Sequence, residues 1–212
     1  MGDAAHEVRL GFAELVSQIA NDARGRDRYV FGLAGPPGSG KSTVAARLAD
    51  QLGAVVVPMD GFHLDNTELD RLGLSGVKGA PDTFDAAGFV RLVEQLNHAD
   101  GPVSAPSFDR VADRTIDGTI TVGPDDRIVI VEGNYLLLEG PPWGALRDLF
   151  DLTGYIDVDA YARVDRLVAR HVRHGRSPDE AREFVRMSDE ANAVIVAASR
   201  PRAHVVVEAS RP

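Results

Sequence analysis

Gly35-Pro36-Pro37-Gly38-Ser39-Gly40-Lys41-Ser42-Thr43 is the stretch on which the reading of this chain turns. It satisfies the pattern Gly-x-x-x-x-Gly-Lys-Ser/Thr at every position. Tyr29-Val30-Phe31-Gly32-Leu33-Ala34 precedes it as an apolar run of strand length, and Thr43 to Asp50 follows as a helix. A strand, a glycine-rich turn and a helix start make a loop that cradles phosphates. Gly35, Gly38 and Gly40 permit φ > 0 and leave room for a phosphate against the main chain. Pro36 and Pro37 carry no N–H, so the donors come mainly from residues 38 to 43. Ser39 is among them. Those amides open a helix, where they are unpaired and the dipole favours an anion. Lys41 is placed for the β- and γ-phosphates, the Ser42 hydroxyl for Mg²⁺, and Thr43 near the α-phosphate. The motif implies a nucleoside triphosphate and leaves the phosphate's recipient open.

Composition narrows the class. The 212 residues suit one α/β domain, and a hydrophobic share of 44% with 26% charged residues is ordinary for a water-soluble fold. There are no cysteines, which excludes disulfides, zinc-thiolate sites and cysteine nucleophiles. A formal net charge of −9 argues against a broad nucleic-acid footprint. No apolar run approaches membrane-spanning length, and Met1 to His6 lacks a basic region followed by an apolar one. The expectation is a cytoplasmic enzyme with no nucleic-acid or membrane partner, a monomer or homodimer.

Val8, Phe12, Leu15, Val16 and Ile19 recur at three and four, predicting an amphipathic helix over 6–24 that packs on the sheet. Residues 54–59 form a second strand, and a strand–helix–strand order makes a parallel pair with a right-handed crossover. Asp60 then leaves its strand into the crevice that holds the phosphate loop. Residues 65–84 are a Gly-rich, charged excursion, and 85–98 a helix. Residues 103–110 are strand-like, and Thr115 to Val122 alternates as a half-exposed hairpin strand. Arg127 to Gly133 is the most apolar strand, expected to be central, and it ends in Glu132. A short helix closes at Leu149, 153–158 is a strand, helices follow over 160–174 and 179–198, and His204 to Val207 is the last strand.

Two carboxylates at strand ends suit phosphoryl transfer, which needs positioning, Mg²⁺ and positive charge more than covalent help. Asp60 is the candidate base for an attacking hydroxyl and a second metal-side oxygen; Glu132 supports the metal with Ser42. Arg163, Arg166, Arg170 and Arg173 lie three, four and three apart on one helix face. Arg166 and Arg170 are expected at the transferring phosphate, Arg173 at the nucleotide, and Arg163 at the surface. His63 is either a ligand for a sugar-like hydroxyl or structural, and Asp65 with Glu68 resembles a capping box. Lys78, Asp109, Arg110, Asp113 and Arg114 form a polar cluster after strand ends that fits a polar acceptor.

These residues carry a resemblance to the P-loop kinases that group uridine kinase, phosphoribulokinase and bacterial pantothenate kinase. GPPGSGKST, PMDGFHLDN, KGAPDTFD, APSFDR, IVIVEGNYLLL, RVDRLVARHVRHGRS and RPRAHVVV bear it, over about residues 28 to 208. The chain looks most similar to the branch labelled fructose-transport-system kinase or nucleoside/nucleotide kinase family protein. The resemblance implies a three-layer α/β P-loop NTPase fold with a mostly parallel central sheet, helices on both faces and a short helical lid. Residues 1–212 would then be a single kinase domain, with acceptor-binding excursions at about 61–84 and 104–122 and a lid at about 170–180. It implies that Asp60 is the catalytic base, that Glu132 serves Mg²⁺, and that Arg166 and Arg170 reach the nucleotide from the lid. KGAPDTFD is more similar to the pantothenate kinase form, while Phe108 stands where relatives often have Tyr, and the histidine with which they hold a nucleoside sugar is not evident here, Asp113 standing near its place. The expected activity is ATP-dependent transfer to a hydroxyl of a sugar, nucleoside or pantothenate-like alcohol. A nucleotide-hydrolysing switch without an acceptor is the alternative, disfavoured because the chain has no Asn-Lys pair for guanine. A nucleoside-monophosphate kinase would use Arg110 and Arg114 on an acceptor phosphate.

Overall fold

Tyr29–Ala34, strand β2, is buried at all six residues because it has protein on both faces. Alternation along the strand divides its side chains between two cores. Tyr29, Phe31 and Leu33 meet Leu15 and Ile19 of helix α1 (Phe12–Asp22) and Ala45 and Leu48 of α2 (Lys41–Leu52). Val30 and Ala34 join Phe89, Val93 and Leu96 of α4 (Ala86–His98) on the other face. Each such Val, Leu, Ile or Phe side chain contributes about 1.5–3 kcal/mol on burial. The structure, a computed structural model, describes residues 7–109 and 112–208.

The main sheet adds β1 (Arg9–Leu10), β3 (Val55–Pro58), β6 (Ile128–Gly133), β7 (Leu152–Asp157) and β8 (Val205–Glu208). Its order is β1-β8-β7-β2-β6-β3, with every neighbouring pair parallel. This is the three-layer α/β architecture of P-loop NTPases, with helices on both faces. Strand β6 lies inside the sheet, between β2 and β3: Val30 pairs with Val129, and Val56 with Ile130. The segments 29–34 and 55–58 are parallel, as their connection predicts, but are not hydrogen-bonded neighbours. The more apolar β6, covered on both faces, takes the interior place, one strand from the edge. The C-terminal ends of β2, β6 and β3 consequently adjoin, and the phosphate loop, Glu132 and Asp60 share one edge.

The first helix is shorter than its periodicity predicts. Gly11 is extended (φ −72°, ψ 168°) and its N–H donates to Glu14 Oε2 at 2.7 Å, so the helix begins at Phe12. Arg9 and Leu10 instead pair with Val206 and Val207, and Val8 stays exposed. The excursion after β3 contains helix α3 (Asn66–Leu72), capped where Asp65 accepts the Glu68 N–H at 2.8 Å. A separate antiparallel ribbon, β4 (Val103–Asp109) with β5 (Arg114–Val122), stands beside it.

The ribbon rests directly on the turn that carries Asp60. A Cβ at Gly61 would lie 2.3 Å from the Pro106 carbonyl oxygen, which no side chain tolerates. Gly61→Ala should therefore push the ribbon off the turn and cost about 1–3 kcal/mol of stability, read as a lower urea midpoint with an unchanged m-value. An unshifted midpoint would show that this contact is not needed.

Helices α5 (Ala160–Arg173), α6 (Pro178–Phe184) and α7 (Glu190–Ser199) carry and follow the segment expected to act as a lid. The continuous helix expected over 179–198 is interrupted by a π-helical turn, Val185–Asp189. Such a turn holds one residue more than the α-helical ladder and re-aims the side chains around it. Arg163 also departs from expectation: it is only 5% exposed, donates to the Pro37 carbonyl at 3.3 Å and pairs with Glu190. The cause is close packing of α5 on the phosphate loop, where a Cβ at Gly38 would sit 2.7 Å from Leu167 Cγ. No helix among the described residues is long and apolar enough to cross a membrane.

Candidate active site

The phosphate loop is held open by backbone geometry. Gly38 (φ 76°) and Gly40 (φ 90°) are left-handed, and Gly40 caps α2. Gly35 does not have positive φ; its role is room, since a Cβ there would meet Ser39 Oγ at 2.9 Å. The Ser39 hydroxyl is buried without a hydrogen-bond partner among the described residues. Buried polar groups are normally satisfied, and a phosphate oxygen in the loop would satisfy this one.

Lys41 is nearly buried, and its Nζ donates to Asn134 Oδ1 at 2.7 Å and to the Pro36 carbonyl at 3.3 Å. That pairing keeps the ammonium pointing across the loop mouth. Ser42 Oγ donates to Glu132 Oε1 at 2.8 Å. Glu132 is buried at the end of β6 and Asp60 lies in the turn Met59–Phe62 after β3. A serine hydroxyl and carboxylate oxygens on one edge are the hard ligands that suit Mg²⁺, which keeps several waters and takes few protein oxygens.

One cleft of about 840 Å³ joins these groups to the lid and to the excursion. It is lined by Pro37, Gly38 and Gly40 to Thr43 of the loop, by Asp60 and Glu132, and by Arg166 and Arg170 of α5. Its other wall is partly aromatic. The His63 ring lies 4.0 Å from Phe84 and 4.7 Å from Phe108, and its Nδ1 is 2.9 Å from the Asp60 carbonyl oxygen. Lys78 donates to Asn66 Oδ1 and Asp113 Oδ2, both at 2.8 Å. Burial pushes the Asp113 carboxyl up, but hydrogen bonds from Lys78 and Asn66 outweigh it and hold the group below the usual carboxylate range. Asp113 also has φ 51°, a conformation that Asp tolerates better than most residues.

The cleft does not gather every residue that the sequence singles out. Asp109 accepts from the Ala112 N–H at 3.0 Å, folding back on the ribbon's own turn outside the cleft. Arg173 is exposed and also lies outside it, although His171 on the same helix and His174 at that helix's C-cap line it. Arg110 lies outside the described residues. Conversely, Asn134, His171, His174, Arg176, Asp189 and Asn192 line the cleft without having been singled out. Asn134 follows the end of β6 by one residue, so the strand-end logic that finds Glu132 extends to it. The others meet only through the packing of α5, the lid turn and α7.

Residues 30–211 match the family model of the Phosphoribulokinase / Uridine kinase family. The chain belongs to that family. It is 36% identical over 214 residues to "Putative uridine kinase C227.14" of Schizosaccharomyces pombe, covering 94% of this chain and 91% of the other. It is 34% identical over 189 residues to "Uncharacterized protein YggC" of Escherichia coli K12, covering 85% and 78%. Among solved structures it superposes at TM-score 0.87 and 41% identity on a "putative fructose transport system kinase" of Silicibacter sp. TM1040, over 93% of this chain and 98% of that one. The full-length matches make this family member a P-loop kinase by descent. The names borne by these relatives do not agree on an acceptor, so kinship identifies the class of reaction and not the recipient.

Proposed function

We propose that this kinase transfers the γ-phosphate of ATP, with Mg²⁺, to a hydroxyl of a small polar metabolite: a sugar, a nucleoside or a pantothenate-like alcohol. The observation that carries this reading is the shared cleft. Asp60 and Glu132, from the ends of two parallel strands, open on the same space as Lys41, Arg166 and Arg170. Asp60 is placed to take the proton of an acceptor hydroxyl as that oxygen attacks phosphorus. Lys41, Arg166 and Arg170 would hold the triphosphate and stabilise charge on the transferring group. Ser42 and Glu132, with Asp60 nearby, would hold Mg²⁺, which when bound neutralises charge on the β- and γ-phosphate oxygens. His63, Phe84 and Phe108 offer an aromatic wall on which the apolar face of a hydroxylated acceptor can lie while Lys78 and Asp113 meet its polar edge.

That wall is also the reason to prefer transfer over a nucleotide switch, which has no use for an acceptor surface. ADP release from ATP and Mg²⁺ over a panel of sugars, nucleosides and vitamin precursors tests the choice. Turnover should rise at least about tenfold with one acceptor class. Turnover that is equally fast without any acceptor would overturn the reading.

A further inference from the structure

Val185–Asp189 is the only π-helical turn among the described residues, and it borders the cleft through Ser188 and Asp189. Its last residue, Asp189, is 7% exposed yet carries a carboxylate. A buried carboxylate needs partners, and the turn provides them. Asp189 Oδ2 is 2.8 Å from His171 Nε2, and Asp189 Oδ1 is 3.7 Å from Arg170 Nη2. On the far side of the imidazole, Arg176 Nη1 lies 2.8 Å from His171 Nδ1. A guanidinium can only donate, so Nδ1 is the acceptor and the hydrogen sits on Nε2, which donates to Asp189. The chain Arg176→His171→Asp189 thus requires a neutral imidazole. Phe184 closes its surroundings: the ring lies 4.8 Å from His171, and Arg176 stacks over it at 3.9 Å.

We propose that Asp189 is a positioning residue for phosphoryl transfer, acting on Arg170 directly and on Arg176 through His171, so that both lid cations stay aimed into the cleft. The proposal rests on the kinase reading above. Without the π-turn the carboxylate would be rotated away from α5, and the two arginines, on long flexible stems, would have no common anchor. A tethered guanidinium loses less freedom on meeting a phosphate than one that samples solvent. Held in this way, Arg170 and Arg176 favour the triphosphate over the diphosphate.

The arrangement has a pH signature. The groups that face His171 are Arg170 on its own helix, Arg176 from the lid turn and Asp189 from the π-turn. Burial lowers its pKa, as do the two arginines, against the raising effect of Asp189, and the net direction is down from 6.5. A neutral imidazole is therefore retained at neutral pH. The anchor is intact above the ordinary histidine value and is lost as the pH falls through the lower folded one, when a second N–H faces Arg176.

The test is the ratio of dissociation constants for ADP and for the imido analogue of ATP, both with Mg²⁺, by calorimetry between pH 5 and 8. Asp189→Asn should cut the preference for the triphosphate analogue about tenfold at neutral pH while ADP affinity holds within about twofold. His171→Gln should remove the acid-side loss of preference seen in the unaltered protein. The nucleotide's own ionisation is common to all variants and cancels in this comparison. If Asp189→Asn does not fold, His171→Gln carries the test alone, since Gln keeps a donor within reach of Asp189. An unchanged ratio and unchanged pH profile in these variants, with Arg170→Ala still losing the preference, would overturn the positioning role only. An unchanged ratio in Arg170→Ala as well would overturn both it and the placement of the lid at the nucleotide.

Discussion

Asp60→Asn should leave ATP affinity within about twofold and lower turnover with the acceptor by about 10²–10⁴. The substitution preserves shape and removes the negative charge, and with it the capacity to take a proton. Its neighbours limit collateral change: His63 Nδ1 contacts the Asp60 backbone carbonyl, which Asn retains, and Gly61 continues to hold the ribbon against the turn. The nucleotide contacts expected from the phosphate loop, Lys41 and the lid lie on other elements, so binding and chemistry are separable by mutation. Nucleotide affinity by calorimetry and turnover by coupled ADP release, on the same preparation, give the comparison. Turnover within threefold of the unaltered protein would remove Asp60 from the role of base. A matching loss of ATP affinity would place it with the metal and nucleotide instead.

Arg170→Ala should lower kcat/KM by about 10³–10⁵, or roughly 4–7 kcal/mol, the loss typical of removing a charge-stabilising arginine from phosphoryl transfer. Arg170 lines the cleft from α5, keeps part of its side chain accessible, and faces Asp189 at 3.7 Å. It is therefore held near the cleft yet able to turn toward a phosphate. Arg166→Ala should show a loss in the same direction, because Arg166 lines the cleft one turn earlier on the same helix. Arg173→Ala supplies the contrast. It stands on the same arginine stripe but outside the cleft, and its loss should change kcat/KM by less than about twofold, as expected of an exposed charge. Equal losses in all three variants would mean that net positive charge on the helix matters and geometry does not.

Much of the site was legible in the chain because its determinants are local. The phosphate loop needs nine consecutive residues with particular backbone freedom and one lysine, and a strand before and a helix after are visible as apolar periodicity. Asp60 and Glu132 could be paired from their places at the ends of strands, since parallel strands all finish on one edge of a sheet. The same reasoning did not extend to neighbour order. That β6 lies between β2 and β3 depends on which strand buries best on both faces, a competition settled across the whole sheet.

The arginine stripe marks the boundary most sharply. Spacing of three and four put Arg163, Arg166, Arg170 and Arg173 on one face, and no more than that can be read from spacing. Docking of α5 on the phosphate loop then divides the stripe: Arg163 is buried beneath Pro37, Arg166 and Arg170 open on the cleft, and Arg173 runs past it. Asp189 belongs wholly to the tertiary structure. Nothing in EFVRMSDEAN distinguishes a π-turn from a regular helix, and the partners of its Asp189, Arg170 and His171, lie on a different helix, α5. The sequence alone established the fold class, the phosphate loop and the strand-end carboxylates, since each follows from a short segment and the hand of the chain. The assembly of lid, π-turn and aromatic wall around them was decided by packing between segments far apart in the chain, such as Pro37 and Arg163, 126 residues apart, where a change of one residue in helix register turns a side chain by about 100°.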